Sequence, residues 1–192
     1  LLMPVLTSCS LFRAYDVSRN LAASAKKICL SSEGKGRLVV RNRKYIFGYD
    51  SGLDAEHANW KLALNFPLQK SEIFELDWSE DGKVKFKSTI DDRLLRENSH
   101  INPASLEFFT KSIGELIQDT LILKKLGGDS DSSPKFIWSK TKKSLTARNT
   151  VKNFNAVFKN MVGDKYFGLI QISYKDHKEH QYRMDLVLKE CF

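Results

Sequence analysis

Hydrophobic and polar residues alternate with a period of two over much of the chain, most clearly in Trp60–Phe86. Trp60, Leu62 and Leu64 alternate with Lys61, Ala63 and Asn65. Phe74, Leu76 and Trp78 alternate with Glu75 and Asp77, and Val84 and Phe86 with Lys83, Lys85 and Lys87. Successive side chains of a strand point to opposite faces, so each run reads as a half-buried strand. Ser79–Gly82, ending in Asp81-Gly82, is a polar turn between the second and third runs. The link between the first two is different. Phe66-Pro67-Leu68 places two large apolar residues at a hairpin tip, and Pro67 stiffens it by fixing its own φ and pushing Phe66 towards an extended conformation. A stiff apolar tip can enter a bilayer or meet an acyl chain, which makes Phe66, Pro67 and Leu68 a candidate membrane-insertion loop. The plainer alternative packs Phe66 and Leu68 under the neighbouring polar loop Asp50–Asn59.

The pattern extends in both directions. Asp16 can cap a helix to about Ile28, with Val17, Leu21, Ser24 and Ile28 on one stripe, and Glu33–Gly36 ends that segment. Arg37–Arg41 and Lys44–Tyr49 read as strands around an Asn42-Arg43 turn, with Tyr45, Phe47 and Tyr49 on one face. The middle is helical: Arg93–Asn98 forms a short turn, then Asn102 and Pro103 start a helix as N-cap and first residue. Leu106, Phe109, Ile113, Leu116, Ile117 and Leu121 follow at helical spacing, with Lys124, Lys125 and Gly127 as stop signals. Strands return at Phe136 and Trp138, at Leu145–Val151 and at Phe154, Ala156 and Phe158. Tyr166–Tyr174 and Gln181–Cys191 form a hairpin with Tyr182, Met184, Leu186 and Leu188 on one face. About ten antiparallel strands with a helical insert make a mainly β (α+β) fold, enough to curl into a barrel or half-barrel. The apolar helix must lie on the sheet, over either a filled core or a lidded cavity.

Composition narrows the partners. A chain of 192 residues, 42% hydrophobic, makes one domain with a real core. The net charge of +8 points to phosphate or anionic headgroups. The lysines are spread along strand faces, and no zinc-finger, RNP or helix-turn-helix pattern occurs, which argues against nucleic acid.

Leu1–Cys9 is apolar, then small, then cysteine, and too short to span a membrane. It reads as the end of a signal-peptide apolar region whose charged start is missing, so residues 1–8 are a signal remnant and 9–192 a single domain. Leu6-Thr7-Ser8-Cys9 resembles the lipobox of bacterial lipoproteins, with Cys9 the lipidation site. Ser10, where Asp would signal retention, fits an outer-membrane destination. The alternative is an apolar terminus with a chance cysteine. With Cys9 acylated, Cys29 and Cys191 remain as an even pair in an oxidising compartment, either bonded or two buried thiols.

Catalytic signatures are missing. No Ser/His/Asp order, CxxC, phosphate loop or HExxH is present. His177 and His180, beside Asp176 and Glu179, sit on a hairpin turn without a third ligand. Asp129, Asp131 and Ser133 imitate the start of a calcium loop, but Pro134 and Lys140 stand where Gly and Glu are required. Asp91-Asp92 reads as a helix cap, and Glu75 and Asp77 as the outward face of a strand. No catalytic residue, metal or cofactor is expected, and the chain does not read as an enzyme.

Together the Cys9 lipobox, the first helix before Gly36-Arg37-Leu38-Val39-Val40, and above all WKLALNFPLQKSEIFEL at 60–76 resemble the LolB family of outer-membrane lipoprotein receptors. That family carries an aromatic-basic-Leu-x-Leu strand, a short Asn-Pro-Leu loop and a Ser/Thr-started strand. Here Phe66 is added before Pro67, and Gln69 replaces the usual Gly. The resemblance covers the N-terminal half and extends to the Pro103 helix. It implies an incomplete antiparallel β-barrel closed by a helical lid around a hydrophobic cavity for acyl chains. The implied lining is Leu38, Val40, Tyr45, Phe47, Trp60, Leu62, Leu64, Phe74, Leu76, Trp78, Phe86, Phe109, Ile113, Tyr182, Met184 and Leu186. Leu68 matches the protruding loop leucine that helps deliver cargo. The implied partners are acylated lipoproteins, a periplasmic LolA-like carrier and the outer membrane, to which a monomer is anchored on the periplasmic face. Two other readings stay open: a scaffolding lipoprotein with a filled core, and a hydrolase that would need convergent acids inside the barrel.

Overall fold

The structure, a computed structural model, describes residues 20–54, 56, 59–67, 71–78, 84–89, 94–96, 102–125, 135–149, 151 and 153–192. Cys9, Asp16, Leu68, Asp91, Asp92 and the 127–134 stretch lie outside them, as do the side chains of Trp78 and Phe86. The chain is mainly β. Among the described residues, ten antiparallel strands form one sheet: β1 Ser32–Val40, β2 Arg43–Asp54, β3 Asn59–Asn65, β4 Glu72–Trp78, β5 Val84–Ser88, β6 Ile137–Lys140, β7 Ser144–Asn149, β8 Phe154–Val162, β9 Tyr166–Lys175 and β10 Gln181–Cys191. Helical segments occur at 20–25 (α1) and 94–96 (α2), and the long helix α3 is Pro103–Lys125.

The strand order is β5-β4-β3-β2-β1-β10-β9-β8-β7-β6. Two five-stranded meanders are therefore joined where β1 pairs with β10, and the sheet stays open between its edges β5 and β6. The register aligns the inward positions across strands: Leu38 faces Met184, Met184 faces Ile172, Ile172 faces Ala156 and Ala156 faces Ala147. Such cross-strand rows turn a period-two sequence into one continuous apolar face.

The sheet begins earlier than the sequence pattern suggests. Gly34 and Gly36, expected to end the first segment, lie inside β1, and β2 runs on to Asp54 into what reads as a polar loop. The glycines are there because aromatic rings cross them. Gly36 pairs with Phe47, and a Cβ at Gly36 would lie 2.1 Å from the Phe47 ring. At Gly34 it would meet the Val187 carbonyl oxygen at 2.1 Å. Here glycine marks close approach and not a chain break.

α3 starts as its sequence indicates. Asn102 Oδ1 accepts the Ala104 N–H at 3.0 Å, and Pro103 takes the first helical position, where no N–H is needed. Leu106, Phe109, Ile113 and Leu116 are buried in the same core as the sheet's inner face. Thr110 and Thr120 are buried as well, and their hydroxyls donate to the Leu106 and Leu116 carbonyls of the preceding turn. Gly114 allows the helix to come close: a Cβ there would lie 2.7 Å from a Leu76 methyl.

Candidate functional site

The candidate site is the apolar space between α3 and the sheet. β3 contributes Trp60 and Leu62, β10 contributes Met184 and Leu186, and α3 contributes Ile113 and Leu116. They enclose a hollow of about 40 Å³ whose wall also includes Ile28, Leu30, Phe158 and Ile172. One end is polar. Ser32 Oγ and Ser51 Oγ lie 3.1 Å apart, and Tyr49 is beside them, its hydroxyl pushed up to about 12 chiefly by burial. Trp60, whose indole N–H donates to the Leu30 carbonyl at 2.8 Å, ties the segment after α1 to the wall.

Of the expected lining residues, Trp60, Leu62, Ile113, Met184 and Leu186 bound this hollow. Leu38, Val40, Phe47, Leu64, Phe74, Leu76, Phe109 and Tyr182 are buried in the same core but stand outside that wall, and Tyr45 is half-buried against the core. Tight ring packing explains part of this. Phe109 lies 5.8 Å from Tyr182 and 6.4 Å from Tyr174, centroid to centroid, so these aromatics fill space between helix and sheet.

The apolar tip needs a correction. Phe66 does not project for membrane insertion: it is 7% exposed and packs on Phe47 at 5.5 Å and edge-on against Tyr45 at 6.5 Å. It keeps the parity of Trp60, Leu62 and Leu64 and so continues the inward side of β3. It also packs on β2 aromatics, away from the 50–59 connection. Pro67 is exposed, and Leu68 lies outside the described residues.

Cys29 and Cys191 are joined by a disulfide, Cα–Cα 5.9 Å, which fastens the segment after α1 to the end of β10. No protein-family model matches the chain, and no curated protein is detectably similar to it.

Two polar clusters hold α3 in place, and sequence reading missed both. Near the start of the helix, Ser105 Oγ donates to Asp176 Oδ2 at 3.2 Å. Asp176 also accepts the Lys178 N–H at 2.9 Å, the His180 N–H at 2.8 Å and His180 Nδ1 at 3.1 Å. Arg41 lies against the other side of the ring, 2.6 Å from His180 Nε2. Burial opposes ionisation of Asp176, but the hydrogen bonds from His180 and Lys178 outweigh it and hold the carboxyl below its ordinary range.

Near the end of the helix, Asp119 is fully buried and accepts the Lys135 N–H at 2.9 Å, the Phe136 N–H at 2.8 Å and Trp138 Nε1 at 3.4 Å. Its burial outweighs these bonds, and the carboxyl is pushed up. Lys124 Nζ adds a bond to the Ile28 carbonyl at 2.6 Å. An acid on the apolar stripe of a helix was the available signal for Asp119. Nothing in the sequence pairs Ser105 with a hairpin 71 residues away.

Proposed function

We propose that the chain is a lipid-anchored receptor on the periplasmic face of the outer membrane. In this reading it acts as a LolB-like receptor does. It takes acylated lipoproteins from a LolA-like carrier and passes them into the membrane, making and breaking no covalent bond. The observation that carries the reading is the apolar hollow held between α3 and one face of an open antiparallel sheet. The sheet then acts as an incomplete barrel and α3 as its lid.

A hollow of about 40 Å³ has room for two or three waters and not for an acyl chain, so α3 swings outward to admit cargo. That movement leaves the strand ladders intact, because α3 belongs to none of them. Burial of an acyl chain contributes about 0.8 kcal/mol per CH₂, which offsets exposure of the helix's inner face. In this reading insertion at the hairpin tip falls to Pro67 and Leu68, with Phe66 serving the core.

The small hollow favours a second reading, a scaffolding lipoprotein with a filled core. The unacylated Cys9→Ser chain, an environment-sensitive fluorescent acyl probe and a diacylated peptide separate the two. Saturable probe binding, displaced by the peptide, is the expected result. A chain that shows no saturable binding is a scaffold, and the receptor reading is then lost.

A further inference from the structure

The antiparallel register places the turns 141–143 and 163–165, the start of β1 and the Cys29–Cys191 bond at one end of the sheet. The turns 41–42 and 176–180 and the Phe66-Pro67 tip are at the other end. The first end carries two adjoining hollows that share Lys140, Thr141 and Lys142. One, about 590 Å³, opens between Asn20-Leu21 and Trp138–Lys142. The other, about 140 Å³, is bounded by Lys27, Lys140, Lys142 and Lys143 and contains a single carboxylate, Asp164. Asp164 is 95% exposed and 3.8 Å from Lys27, a geometry worth little in water. Among the described residues Lys140, Lys142 and Lys143 have no ion-pair partner, and all three are exposed. Thr141 holds their backbone in a tight turn, its Oγ1 accepting the Lys143 N–H at 3.2 Å and the Ser144 N–H at 3.0 Å.

We propose that this lysine-lined end is a docking surface for an anionic bilayer, placed beside the point where the N-terminal segment enters the fold. Two observations select that occupant. The first is charge: four lysines against one carboxylate attract a surface of phosphate headgroups, and surface-bound lysines act additively there. The second is tether length. Asn20, in the wall of the larger hollow, is eleven residues beyond Cys9, a span of at most about 40 Å when fully extended. A membrane holding Cys9 therefore stays within reach of the patch, and a lipid chain combined with a basic patch is the two-signal arrangement that makes membrane attachment stable. The proposal rests on the receptor reading only for the anchor at Cys9. The docking itself needs neither the anchor nor an acyl cavity.

The pose has a geometric consequence. With the lysine end on the headgroups, the Pro67 tip belongs to the opposite set of strand ends from the 141–143 turn. In the docked pose that tip faces the periplasm, so docking at the lysine end and insertion at Pro67 and Leu68 are two separate poses of the chain on the membrane.

The experiment uses the full unacylated Cys9→Ser chain with phosphatidylethanolamine vesicles prepared with and without phosphatidylglycerol. Expected are co-sedimentation only with the anionic vesicles, its loss at high salt, and a fall in affinity on the order of 100-fold in K140Q/K142Q/K143Q. The triple variant K35Q/K44Q/K61Q removes the same charge from exposed sites elsewhere and retains binding. A dye at Ser139→Cys reports bilayer contact and a dye at Pro67→Cys does not. Equal binding by the two triple variants, binding without anionic lipid, or bilayer contact at position 67 alone would each overturn the proposal. So would a response to inorganic phosphate with no vesicle binding, which would assign the lysines to a free anion. Failure in any of these forms leaves the acyl-probe result unaffected.

Discussion

The two ends of α3 are held in different ways. At the start, Ser105 donates to Asp176 and so links helix to sheet, and the other bonds to that carboxylate come from its own hairpin turn. At the end, the Asp119 carboxylate takes two backbone N–H groups at the entry to β6 and the Trp138 indole, and Lys124 reaches the Ile28 carbonyl next to the disulfide. A buried carboxylate that completes other groups' hydrogen bonds is costly to release, whereas a single hydroxyl bond contributes about 1 kcal/mol. If α3 opens as the receptor reading requires, the difference predicts a hinge at its C-terminal end and lifting at its N-terminal end. The same contrast tells where to look for motion: in the first turns of α3, over the Phe109 ring cluster.

The strongest way to break this asymmetry is to remove the covalent tie behind the hinge. Cys29→Ser with Cys191→Ser should lower unfolding stability by about 2–5 kcal/mol in denaturant titration, since a closure spanning 162 residues is lost. An unchanged midpoint would show that the hinge does not depend on the bond. Asp119→Ala comes next, at about 2–3 kcal/mol, because the Lys135 and Phe136 N–H groups lose their acceptor. Hydrogen exchange in this variant should quicken in the last turns of α3 and in β6. Ser105→Ala should cost only about 0.5–1.5 kcal/mol and quicken exchange in the first turn alone, since Asp176 keeps three donors. Equal and opposite patterns in these two variants would reverse the assignment of hinge and free end.

Acid sharpens the comparison further. Asp176 has a folded-state pKa below the ordinary carboxylate value, so its contribution is present above that value and is lost as pH falls through the folded pKa. Asp119 is shifted upward, so between the ordinary value and its folded pKa the folded state binds the extra proton. Its contribution to stability therefore falls as pH rises through that window and grows on acidification. Exchange at the two ends of α3, followed from neutral pH into the acid range, should separate, with the first turn loosening and the last holding. Parallel loosening of both ends would exclude this division of roles.

Much of the architecture was legible in the sequence. Ten strands, the Asn102-Pro103 start of the long helix and the meander order follow from local periodicity and capping chemistry. Gly34 and Gly36 misled because glycine more often ends a segment than accommodates a ring from the next strand, and only the pairing with β2 shows which applies. Phe66 was readable in principle, since its parity matches Trp60, Leu62 and Leu64. Pro67 drew it into the tip instead. The site was less accessible. Residue type shows that Trp60, Ile113 and Met184 are interior, but whether interior side chains border a hollow or fill it depends on how they interlock.

The sequence by itself determined the elements, their order and the face each strand buries, because these depend on neighbours within a few positions. Tertiary structure alone decided that Ser105 meets Asp176, that Asp119 receives the backbone at Lys135 and Phe136, and that the lysines of the 140–143 turn gather with Lys27 beside Asn20. The physical reason is that hydrogen bonds and surface charge act over a few ångströms in space. The chain brings such groups together only after the whole sheet has closed its register around the helix.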